Sequence, residues 1–113
     1  MFEKLFTRRI VLYRHESAPY RKERELYLEY CEQQGYTIST LLHLARELLW
    51  IARKLRIDPE RGVYLKQVEA AAQGWAKRRH FSGQALNTRW TRIRFIQVAR
   101  SWLRFLNYWR EPK

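Results

Sequence analysis

From Lys77 to Arg110 the chain carries nine basic side chains and not one Asp or Glu: Lys77, Arg78, Arg79, Arg89, Arg92, Arg94, Arg100, Arg104 and Arg110. Aromatic residues run through the same stretch, namely Phe81, Trp90, Phe95, Trp102, Phe105, Tyr108 and Trp109. A fold must hide these rings while keeping the charges in water. Stepping about 100° per residue from Phe95 separates the two sets on an α-helix. Ala99, Trp102, Leu106 and Trp109 fall near Phe95, flanked by Val98, Phe105, Ile96 and Leu103. Arg89, Gln97, Arg100, Arg104 and Asn107 fall on the opposite side. The pattern predicts one long amphipathic helix from about Leu86 to Tyr108, closed by Glu111-Pro112. Uncompensated charge of this density repels itself in a compact state, so it points to a polyanionic partner.

The remaining composition narrows the class. The 113 residues suit one domain, and 46% hydrophobic content is enough for a modest core. An aromatic content of 15% argues against disorder. A net charge of +12 favours nucleic acid first and an anionic membrane surface second. Cys31 is the only cysteine, which leaves no internal disulfide, and its helical neighbours suggest a buried hydrophobe. Residues 1–16 are too charged for a secretory signal, and no apolar run approaches the ~20 residues of a bilayer span. The expectation is a soluble, cytoplasmic protein.

Along the chain, Arg9-Ile10-Val11-Leu12-Tyr13-Arg14 is a short apolar run bounded by charge. A lone strand has no partner, so residues 1–16 are expected to form an extended arm. Ser17-Ala18-Pro19 looks like a helix start, with Ser17 as cap. The first helix should run from about Pro19 to Gln34, with Tyr20, Tyr27, Tyr30 and Cys31 on one side, flanked by Leu26 and Leu28. Gly35 ends it. Ser39 or Thr40 is expected to cap a second helix from Leu41 to about Leu55, with Leu41, Ala45, Leu48, Ala52 and Leu55 inward, broadened by Leu44 and Ile51. The short connection makes these two an antiparallel hairpin. Outward lie His43, Arg46, Trp50, Arg53 and Lys54. Trp50 either joins this contact surface or packs within the domain. Ile57-Asp58-Pro59-Glu60-Arg61-Gly62 breaks the pattern. A third helix follows, roughly Leu65 to Arg78, with Val68, Ala71, Ala72 and Trp75 inward. Residues 80–84 form the loop into the long helix. The fold class is all-α: four main helices in two hairpins.

No catalytic constellation is visible. His43-Leu44-Ala45-Arg46 matches His-x-x-Arg, yet no tyrosine, lysine and second arginine are arranged around it. His15, Cys31, His43 and His80 lack zinc-ligand spacing, and no phosphate-binding glycine loop occurs. No cofactor or metal is expected, and no enzymatic activity. What remains is binding. Arginine's planar fork gives phosphate two parallel bonds, while Gln and Asn can read adenine edges and Arg guanine edges in a major groove.

The order and spacing of several motifs resemble a known family. Ala18-Pro19-Tyr20-Arg21, Leu28-Glu29-Tyr30-Cys31, Gly35-Tyr36, Ser39-Thr40-Leu41, Ala45-Arg46-Glu47-Leu48 and Ile51-Ala52 look like a first hairpin. Val68-Glu69-Ala70, Ser82-Gly83 and the run from Phe95 to Leu106 look like a second. Residues 17–112 thus resemble the N-terminal, SAM-like core-binding domain of tyrosine recombinases, the phage-integrase family. The resemblance implies two hairpins stacked crosswise against one side of double-stranded DNA. A separate C-terminal catalytic domain of the same recombinase would complete the clamp, and the protein would assemble into an oligomer on DNA. By that resemblance the DNA-facing positions would be Arg46, Trp50 and Arg53 on the second helix and Gln97, Arg100 and Arg104 on the fourth; the charge pattern adds His43, Lys54, Lys77, Arg78, Arg79 and Arg89 as expected DNA contacts. The family's catalytic domain has no counterpart in these residues, which implies an excised or truncated domain. The alternatives are an RNA-binding helical module and a basic bundle acting at a membrane surface or on another protein.

Overall fold

The computed structural model describes residues 1–81 and 88–111, with the side chains of residues 79–81 and 88 outside that description. The architecture is all-α, as the periodicity predicts. Six helices occur among the described residues: α1 (Phe2–Leu5), α2 (Arg9–Ser17), α3 (Arg21–Gln33), α4 (Ile38–Lys54), α5 (Leu65–Phe81) and α6 (Thr88–Phe105). Two short strands accompany them, β1 (Val63–Tyr64) and β2 (Trp109–Arg110). The chain forms two compact units, Met1–Arg53 and Lys54–Lys113.

In the first unit, the extended arm expected over residues 1–16 is replaced by α1 and α2. A helix satisfies its own backbone groups, whereas an isolated strand leaves them unpaired. Phe2, Leu5 and Phe6 are buried, and the Phe2 and Phe6 rings hold His15 of α2. The imidazole stacks on Phe6 with ring centroids 4.1 Å apart and lies tilted against Phe2 at 5.4 Å. Because α2 exists, its last carbonyls need donors. Arg24 of α3 supplies them from a fully buried position. Its Nη2 donates to the carbonyls of His15 at 2.7 Å and Ala18 at 3.0 Å, and its Nε to Pro19 at 2.9 Å. The guanidinium also lies over the Phe2 ring at 5.1 Å. Burial, the largest cause, lowers the Arg24 pKa to about 10.

This joint corrects two expectations. Ser17 does not cap α3; it ends α2, and its hydroxyl donates to the Tyr13 carbonyl at 2.7 Å. The inner face of α3 is Arg24, Tyr27, Leu28 and Cys31, while Tyr30 and Leu26 are 43% and 44% exposed. Gly35 does end α3. It sits at φ +94°, the Tyr36 amide donates to Cys31 and the Gly35 amide to Glu32, which is a Schellman closure. The cap of α4 is Thr37, not Ser39 or Thr40: its Oγ1 accepts from the Thr40 amide at 3.2 Å. The whole expected inner stripe of α4, Leu41 through Leu55, is buried.

In the second unit, Asp58 organises the turn after α4. Its Oδ1 accepts from the Glu60 and Arg61 amides, and its carbonyl from Gly62. Gly62 is at φ +75°, and an added Cβ would lie 2.6 Å from the Arg110 side chain and 2.7 Å from the Tyr108 carbonyl. Only glycine allows that approach. It lets β1 pair in parallel with β2, Val63 opposite Trp109 and Tyr64 opposite Arg110. α5 and α6 pack directly on each other. Val68, Ala72, Trp75 and Ala76 are buried on α5, and Phe95, Val98, Ala99, Trp102 and Leu103 on α6. The small residues permit the close approach. Most of the expected 80–84 loop, with Ser82-Gly83, lies outside the described residues; α5 runs on to Phe81.

Candidate nucleic-acid interface

The sequence-derived contact residues fall into a group on α4 and a group on α5 and α6. On α4, His43, Arg46, Trp50, Arg53 and Lys54 occupy an arc of about 100° at helical spacing. His43, Arg46 and Arg53 are exposed, and Trp50 and Lys54 are half-buried. The Arg53 guanidinium lies over the Trp50 ring at 5.3 Å. Trp50 is thus partly covered and partly in reach of a neighbouring cation. That contact fixes the direction of Arg53. His43 and Arg46 share this exposed face.

On α5, Lys77 and Arg78 are exposed; the side chain of Arg79 lies outside the described residues. Lys77 lines a groove of about 230 Å³ with Gln73, Ala76, Arg89 and Arg92. On α6, Arg89, Gln97 and Arg104 are exposed, and Arg100 is half-buried. Stepping 100° per residue places Trp90, Arg94 and Ser101 beside this set, and all three are exposed, Trp90 at 65%. The site assignment made from sequence omitted Trp90, Arg92 and Arg94. Extending the face angle used for Gln97 back toward the start of α6 would have found Trp90 and Arg94.

The end of α6 changes what Arg100 and Arg104 can do. The helix stops at Phe105, not Tyr108, because Asn107 turns left-handed at φ +65°. The Asn107 amide donates to Arg104 at 3.1 Å and the Tyr108 amide to Leu103 at 2.8 Å, a second Schellman closure. Trp109 therefore leaves the inner stripe on which periodicity placed it, and lies over the polar face. Its ring is 5.2 Å from the Arg100 guanidinium and 5.9 Å from that of Arg104. Glu111 completes the cluster: it accepts from Trp109 Nε1 at 2.8 Å and from Arg104 Nη2 at 3.3 Å. The Trp109 hydrogen bond, followed by that of Arg104, holds the Glu111 carboxyl below its usual range. Arg100 Nε is buried without a hydrogen-bond partner. Asn107 likewise serves the turn: its carbonyl accepts from Arg110 Nη1 at 3.0 Å.

Other chemistry is sparse. Cys31 is buried and unpaired as a thiol, and burial raises its pKa. Among the described residues no group of His, Cys, Asp and Glu could hold a metal ion, and no helix is long and apolar enough to cross a membrane. Comparison of the chain with protein-family models, curated proteins and solved structures gives no match.

Proposed function

We propose that this chain binds double-stranded DNA through the basic faces of α4 and α6, as the core-binding domain of a tyrosine recombinase whose cutting is done by a separate catalytic domain. The observation that carries the reading is the distribution of charge. Lys54–Lys113 has fourteen basic and four acidic residues, net +10, whereas Met1–Arg53 has nine and seven, net +2. The excess is displayed, not buried: Lys77, Arg78, Arg89, Arg92, Arg94 and Arg104 are all exposed. Guanidinium groups of this density suit phosphate, and the exposed Gln97 among them has the donor and acceptor to read adenine. The recombinase assignment rests on the order of sequence motifs described above.

A salt titration of duplex binding tests it. Log affinity should fall linearly with log salt, by roughly 0.9 per phosphate contacted. Arg104→Ala should weaken binding and make that slope shallower by about one contact. Glu29→Ala on α3 should do little. If Arg100→Ala and Arg104→Ala both bind like wild type at every salt concentration, α6 does not face DNA. Preference for single-stranded RNA, or for anionic vesicles over duplex, would transfer the function to those partners.

A further inference from the structure

We infer that the groove between α5 and α6 is a seat for a single phosphate group, held jointly by Lys77, Arg89 and Arg92 with Gln73 as an amide partner. The inference rests on the nucleic-acid reading for its physiological ligand, a backbone phosphate. The groove itself is argued from its lining. Gln73, Ala76 and Lys77 are at i, i+3 and i+4 on α5, and Arg89 and Arg92 at i and i+3 on α6. Two helices thus line one concavity of about 230 Å³ with three basic residues, and none of the described lining residues is a carboxylate. Like charges gathered along one groove repel one another. A bound anion reverses the sign of that interaction.

The position on α6 adds to the effect. α6 begins at Thr88 and has no acidic residue in its first turn. Arg89 therefore sits in the first turn, at the helix end that is already positive, where basic side chains are disfavoured and anions favoured. Guanidinium and ammonium groups donate charge-assisted hydrogen bonds to phosphate oxygens, and the Gln73 amide can donate one more. Ala76 has no polar atom beyond Cβ and takes up little room, so it leaves space for the anion. At the other end of α6, Trp109 lies over Arg100 and Arg104, and Glu111 bonds to Arg104.

The test has two arms. In the first, inorganic phosphate is titrated into the full chain against chloride at matched ionic strength, and backbone amide shifts are followed by NMR. Saturable phosphate-specific shifts are expected at Gln73, Ala76, Lys77, Arg89 and Arg92, and their loss in Lys77→Ala, Arg92→Ala. Both substitutions put a good helix former at an exposed helical position, so the fold should persist. In the second arm, duplex binding by that double variant is compared with Arg61→Ala, Lys66→Ala, which removes the same charges elsewhere in the second unit. A shared seat predicts that the groove pair makes the salt slope shallower by roughly 0.9, one phosphate, and that the control pair leaves it unchanged. A change of roughly twice that size means two separate contacts and overturns the shared seat. Equal slopes for both pairs, with no phosphate-specific shifts, also overturn it, even if Arg104→Ala still weakens duplex binding. Phosphate-specific shifts in a chain that does not bind duplex leave the seat standing for a free phosphate and end the DNA reading.

Discussion

His15 is the side chain whose environment departs furthest from what its type suggests. Burial, assisted by the charges of Arg24, Arg14, Arg53 and Arg46, lowers its pKa from the usual 6.5 to about 4. Above about pH 6.5 the ring is neutral in both folded and unfolded chains. Below that, the unfolded chain takes up a proton that the folded chain refuses. Stability should therefore be full above about pH 6.5 and be lost as the pH falls toward 4, by about 3 kcal/mol in total at 1.36 kcal/mol per pKa unit. Urea unfolding from about pH 7 down to about pH 4 measures this. His15→Phe keeps a ring on Phe6 and removes the titration, so its stability should fall less over the same range. Parallel pH curves for the two proteins would show that His15 does not drive the dependence.

How α6 ends decides whether its arginines are available. Continued helix would have kept Trp109 on the apolar stripe and left Arg100 and Arg104 without the ring that now lies over them. Asn107 tolerates the left-handed conformation better than most non-glycine residues, and the Schellman hydrogen bonds then turn the chain back along the helix. The returning strand is fixed by β1, with the Val63 amide donating to Tyr108 at 2.8 Å. Glu111 then lies where a phosphate oxygen could approach Arg104. Glu111→Gln should consequently raise duplex affinity at low salt by a modest factor, roughly two- to threefold, since exposed ion pairs are weak competitors. Fluorescence anisotropy with a labelled duplex would read the change. An unchanged or lower affinity would mean that the Arg104–Glu111 pair does not compete with DNA.

Charge is shared unequally between the two units, and the carboxylates follow the same division. In the first unit Glu16, Glu25 and Glu32 are engaged by Arg21 and Lys4 at 2.7–2.9 Å. The second unit has only four carboxylates against fourteen basic side chains, which leaves its net +10. Self-repulsion of that size destabilises a compact state and is screened by salt, with a Debye length falling from ≈10 Å at 0.1 M to ≈3 Å at 1 M. Raising sodium chloride over that range should increase Tm. A melting temperature that falls with salt would show that the ion pairs of α1–α3 outweigh the repulsion in the second unit.

Helix periodicity made the amphipathic core legible from the chain alone. Leu41 to Leu55 on α4, Val68, Ala72 and Trp75 on α5, and Phe95, Ala99 and Trp102 on α6 are buried as their spacing requires, because a repeat of 3.6 is a local property of the chain. Gly35 was legible for a similar reason, since few residues accept its backbone conformation. The exposure of Arg46, Arg53, Gln97 and Arg104 followed from the same angles. What tertiary structure decided depended on contacts between residues far apart in sequence. The backbone of residues 9–17 became helical with His15 packed between Phe2 and Phe6, and Arg24 became a buried clamp because α2 left carbonyls to satisfy. β1 and β2 are two residues each, too short for any period, and meet across the whole α5–α6 pair. That meeting drew Trp109 off the stripe and onto Arg100 and Arg104. Local spacing says which face a side chain occupies, and only the folded chain says what else arrives at that face.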